Sequence, residues 1–200
     1  WMDSYGMIYK TLIDEGVPTI MTGHIAQPAV SRSVDPSISD REALAAGSQS
    51  KVLLTGLLRE KFGFNGVIVT DSTLMVGYMQ NMPRRQAIPW SIEAGCDMIL
   101  FNRNLQEDYE YLKEGYKNGI LSEKRLEEAV LRILALKAYL HLPEKQAAGS
   151  LVPDGNPLDV TGLEETKQWV NECADKAITL IKDNQKILPM SPEKTKRIYL

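Results

Sequence analysis

Between Tyr5 and Glu15, the apolar residues Met7, Ile8, Leu12 and Ile13 recur at helical spacing, and Gly16 follows as a stop. "VPTIMTGHI" is a short apolar run behind a proline, which predicts a buried parallel strand from about Thr19 to Gly23. Val52, Leu53, Leu57 and Leu58 share one face of a predicted helix over Ser50 to Phe62, ended by Gly63. "GVIVTD" is the next strand, with β-branched residues from Val67 to Thr70. A helix from about Arg84 to Ala94 leads through Gly95 into a third strand, "CDMILF". Helices near Glu107–Asn118 and Glu123–His141 follow, the second with Ser122 as its expected N-cap. The intervening "AQPAVSRSVDPSISD" reads as a long loop.

Three short, wholly apolar strands alternating with helices call for a parallel sheet covered by helices. An incomplete (β/α)8 barrel and an open doubly wound sheet both fit. No Gly-x-Gly-x-x-Gly or Walker-type phosphate loop is present, which weighs against a nucleotide-binding sheet. The texture changes after His141. "LPEKQAAGSLVPDGNPLDVTG" reads as a linker, Leu163 to Lys182 as a helix, "KILPM" as turn-rich and "RIYL" as the start of a strand.

At 44% hydrophobic and 24% charged, the chain reads as globular. A net charge of −3, with basic and acidic residues mixed along the helices, offers no attraction to nucleic acid or anionic membranes. No apolar run reaches the roughly 20 residues needed to span a bilayer. Cys96 and Cys173 lie far apart and form no metal or redox motif, and Cys96 reads as a buried free thiol. Trp1 is not an initiator residue, so the native start is expected to lie elsewhere. Compartment therefore stays open between the cytoplasm and a secreted or cell-envelope location.

Asp71 carries the most chemistry. A carboxylate at a strand-to-helix junction can cap the following helix. It can also point from a strand's C-terminal end into an active-site face. Ser72 and Thr73 are alternative caps that would leave Asp71 free. His24, at the end of the first strand, suits either a backbone-bonded structural role or a ligand contact. Met75 suits either the core or a pocket wall. Trp90 reads as surface packing within a helix, His141 as a helix-end cation, and Asp97 as structural because it opens its strand.

The stretch "LLREKFGFNGVIVTDSTLM" resembles the nucleophile segment of glycoside hydrolase family 3, matching through Leu58, Arg59, Gly63, Phe64, Asn65, Gly66, Thr70, Asp71 and Met75. "GVPTIMTGHI", "PSIS" (Pro36 to Ser39), "AIPWSIEAGCDMIL" and "AITLIKDNQKILPM" resemble further segments of that family, in order. "TDST-x-M" and the His-Ile pair at His24 look closest to its β-N-acetylglucosaminidase branch.

The resemblance implies an α/β fold. Residues 1–141 would be the C-terminal part of a (β/α)8 barrel (strands six to eight), 142–162 a linker, and 163–200 the start of an α/β sandwich domain. It implies a retaining hydrolase that removes terminal β-linked N-acetylglucosamine from cell-wall or chitin-derived sugars. Asp71 would be the nucleophile, with His24 and Met75 against the sugar. Neither cofactor nor metal is expected, and the partner is a carbohydrate. A family β-glucosidase or xylosidase, or a non-catalytic sugar-binding module, are the alternatives. The Lys-His-Phe-Pro-Gly-type segment that carries the branch's His-Asp acid/base is not in this sequence. The chain alone is therefore expected to need the missing barrel half and to be inactive without it.

Overall fold

The computed structural model describes residues 1–152, 155, 159 and 161–197. They form two compact units, Trp1–Gly149 and Ser150–Leu200.

In the first unit, β1 (Thr19–Thr22), β2 (Val67–Ser72) and β3 (Met98–Leu100) form a parallel sheet in the order β1-β2-β3. Thr19 to Thr22 pair in step with Val67 to Thr70, and the β2–β3 register shifts between Val69 and Ser72. One face of the sheet carries Ile20 and Ile68, packed with Leu53, Leu54, Leu57, Leu58, Ile92 and Cys96 from the helical layer. The opposite face carries Met21, Val69 and Met98 in register, and both methionines are exposed. The sheet is therefore covered by helices on one side only.

The connections differ from the loop expected over residues 26–40. α1 (Met7–Asp14) precedes β1, α2 (Pro28–Val34) lies inside the Ser/Pro-rich stretch, and α3 (Asp40–Ala43) starts at its last residue. Pro28 stands where a helix's first N–H is unpaired anyway. Ser39 and Glu42 form a reciprocal capping box, each side chain accepting from the other's backbone N–H. Those local signals overrule the composition. Val52–Lys61 forms a wide, π-type helix ahead of β2. Then come α4 (Arg84–Ala94), α5 (Leu105–Lys117), α6 (Glu123–Tyr139) and α7 (Leu142–Ala147). Ser122 caps α6 as expected, accepting from the Arg125 N–H. α7 lies inside the stretch read as a linker, and His141, at φ 54°, is its N-cap residue.

At the sheet's N-terminal end, the family-like Arg59 serves the fold. Its guanidinium donates to the carbonyls of Phe64 (3.0 Å) and Gly66 (2.6 Å), tying down the "GFNG" turn, and to Asp97 at 2.7 Å. Asp97, read from the sequence as structural, is buried. It accepts from the Ile68 N–H at 2.9 Å and also pairs with Arg125. Burial pulls the Arg59 guanidinium down to about 10, against the pull of Asp97 upward.

In the second unit, α8 (Glu164–Ala177) is shorter than the helix expected to reach Lys182. Beyond it, the Asp183 carboxylate accepts from the Ile187 and Leu188 N–H groups at 3.0 and 3.1 Å, which holds the turn in "KILPM". The strand expected in "RIYL" spans residues 197–200, of which 198–200 lie outside the described residues.

Candidate active site

Parallel strands deliver their C-terminal ends to one edge of the sheet. Here that edge holds His24 just beyond β1, Asp71 as the penultimate residue of β2, and Phe101 and Asn102 just beyond β3. Asp71 lies on the same face of β2 as Val69, away from the helical layer, and is half-buried.

Its carboxylate caps no helix. The chain leaves β2 into a 3-10 turn, Val76–Met79, whose N-terminus has no side-chain cap, and α4 begins only at Arg84 behind Pro83. Instead, Asp71 Oδ1 accepts from the Ser72 N–H at 2.6 Å. Among the described residues no cation pairs with it.

His24 is buried and has both ring nitrogens engaged. Nε2 lies 3.0 Å from the Ser72 carbonyl, which can only accept, so Nε2 carries the proton. Nδ1 lies 2.7 Å from the Ser48 hydroxyl, and the ring packs against Tyr78 with centroids 5.0 Å apart. Space for this is tight: a Cβ on Gly77 would sit 3.1 Å from the His24 carbonyl oxygen. His24 thus ties the end of β1 to the residue after Asp71.

Met75 stands in the exposed run Leu74–Val76, three to five residues beyond Asp71, and its N–H also donates to the Ser72 carbonyl at 3.0 Å. Trp90 packs against the core and donates from its indole N–H to the Gln49 carbonyl at 3.0 Å, as its surface-packing reading implied. Cys96 is a buried free thiol, pushed up to about 12 by burial.

A further set of groups at this edge has no local signal in the sequence. Thr73 is fully buried, and Arg84 donates to its carbonyl and hydroxyl at 2.9 Å each while also bridging Asp108. These partners lie 11 and 24 residues apart, on different elements, so no local spacing could have revealed them.

A carboxylate thus stands at the C-terminal end of the central strand of the sheet. The profile of the glycosyl hydrolase family 3 N-terminal domain matches residues 2–136. The chain belongs to glycosyl hydrolase family 3. It is 43% identical, over its whole length, to 35% of a beta-N-acetylglucosaminidase/beta-glucosidase of Cellulomonas fimi. Among solved structures it resembles beta-glucoside phosphorylase BglX bound to 2FGlc (TM-score 0.76, 49% identity, 98% of this chain and 34% of that one). It also resembles a family 3 beta-N-acetylglucosaminidase from Paenibacillus sp. str. FPU-7 (TM-score 0.63, 26% identity, 90% and 32%). The family 3 chain thus spans about a third of the length of these relatives.

Proposed function

We propose that this family 3 chain carries the nucleophile of a retaining β-glycosidase, and that the nucleophile is Asp71. The supporting observation is the Asp71 carboxylate itself: half-buried at the C-terminal rim, bound to one backbone donor and capping nothing. The sheet's uncovered face, bearing Met21, Val69 and Met98, supports residues 1–141 as part of a closed barrel, because parallel sheets bury both faces. The linker and the start of a second domain belong to the same reading.

In the reaction, an Asp71 oxygen attacks the anomeric carbon and the glycosidic C–O bond breaks. The electron pair leaves on the aglycone oxygen, which takes a proton from a general acid. An acceptor then attacks the same carbon, its proton going to a base, and the Asp71 carboxylate is released. His24, with both nitrogens engaged, holds the Ser72 carbonyl rather than the sugar, and exposed Met75 is the wall residue.

Terminal β-linked N-acetylglucosamine is the proposed sugar, and water the acceptor. The sequence motif "TDST-x-M" and the Cellulomonas fimi relative support this. A second reading, phosphate as acceptor and glucose as sugar, is favoured by the 49% identity to beta-glucoside phosphorylase BglX. The test uses full-length protein with aryl β-glycosides that carry or lack the acetamido group, each with and without phosphate. Asp71→Ala is expected to abolish turnover of all of them, and unchanged turnover would sink the assignment. Release of a sugar 1-phosphate would select the second reading.

A further inference from the structure

Arg84 is the first residue of α4, buried to 6% exposure, and its guanidinium forks onto Asp108 of α5 (Nε to Oδ1 2.8 Å, Nη2 to Oδ2 2.6 Å). The fork leaves donors over. Nη1 donates to the Thr73 carbonyl and Nη2 to the Thr73 hydroxyl, both at 2.9 Å. Thr73 in turn donates its hydroxyl to the Phe101 carbonyl (2.6 Å) and its N–H to the Leu100 carbonyl (3.1 Å). Asp108 also accepts from Asn102 at 2.8 Å. Every polar group of Thr73 is therefore held by α4 or by the end of β3.

From the β1 side, His24 and the Met75 N–H fill the Ser72 carbonyl. The peptide unit joining Ser72 to Thr73 is thus held at its oxygen from one side and at its nitrogen from the other. Immediately before it stands the Ser72 N–H that Asp71 accepts. A pivot of the strand end at Thr73 would carry that N–H, and the carboxylate, with it.

Stability alone does not account for such a device. A buried ion pair can often be exchanged for apolar residues of similar volume without loss of stability. Leucine and methionine cannot, however, aim fixed donors at a carbonyl and a hydroxyl. Because Asp108 neutralises Arg84, the pair acts through geometry rather than through net charge.

We propose that Arg84, aimed by Asp108, is a positioning residue that sets Asp71 for attack. This rests on Asp71 as the nucleophile. The test uses full-length protein: wild type, Arg84→Met/Asp108→Leu, Arg84→Lys, and Arg85→Met as a control at an exposed pair with Glu114. Thermal midpoint, kcat and KM on an aryl β-glycoside are measured, together with the rate of Asp71 labelling by an activated 2-fluoro glycoside.

The double variant leaves the buried Thr73 carbonyl without its donor, so it is expected to melt below wild type while staying folded at the assay temperature. Its kcat and its labelling rate should both fall on the order of 10²-fold, with KM little changed. Arg84→Lys keeps the charge but not the fork and should show the same fall, and it carries the test if the double variant does not fold. Arg85→Met should match wild type. A folded double variant, or Arg84→Lys, with wild-type kcat and labelling rate overturns the proposal while leaving the nucleophile assignment intact. A wild type that is never labelled at Asp71 overturns both.

Discussion

At the scale of single residues, the site is decided by which polar atoms are already spent. Asp71 has one backbone donor and no helix to cap, so most of its acceptor capacity is unused among the described residues. His24 has none to spare, since its ring joins Ser48 to the Ser72 carbonyl. Replacing it with Phe keeps a ring against Tyr78 but strips Ser72 of a buried partner. His24→Phe is expected to cost about 1–3 kcal/mol of stability and to lower kcat more than KM, as melting curves and steady-state kinetics would show. Cys96 gives a test of burial. With its thiol pushed up to about 12, the thiolate fraction at pH 8 is on the order of 10⁻⁴. Raising the pH toward 12 would increase that fraction. At pH 8, iodoacetamide should leave Cys96 unmodified in folded protein and modify it after denaturation, read by peptide mass mapping. Rapid modification of the native protein would contradict the packing.

At the scale of elements, α4 and α5 pack by an exact fit of small against rigid. A Cβ on Gly115 would lie 2.2 Å from Cβ of Pro89, which sits inside α4. Gly115→Ala is therefore expected to destabilise by about 1–3 kcal/mol through overpacking, despite alanine's better helix propensity. A raised melting temperature would refute that packing. The same scale shows what the sequence could convey. All three strands, α4 and the cap at Ser122 follow from local periodicity and turn chemistry, and they appear within a few residues of expectation. α2 and α3 were hidden by Ser/Pro composition, although Pro28 and the Ser39–Glu42 box were there to be read. α7 was hidden the same way. The Arg84–Asp108–Thr73 cluster was not legible at all, because side chains from α4, α5 and the end of β2 meet only in three dimensions.

At the scale of the molecule, a three-stranded parallel sheet with one covered face is an incomplete object. β1 leaves an edge unpaired, and Met21 and Met98 stand exposed on the uncovered face. Closed barrels remove such edges. The 200-residue segment alone is thus expected to associate or precipitate, and a clean monomer with one cooperative melting transition would count against the barrel reading. The central claim, that Asp71 forms a covalent bond to the sugar, has a direct measurement. Full-length protein is incubated with an activated 2-fluoro glycoside, digested, and mapped by tandem mass spectrometry. The prediction is a single fluoroglycosyl ester on the peptide containing Asp71, absent in Asp71→Ala. An adduct on any other carboxylate, or turnover without any adduct, would contradict it.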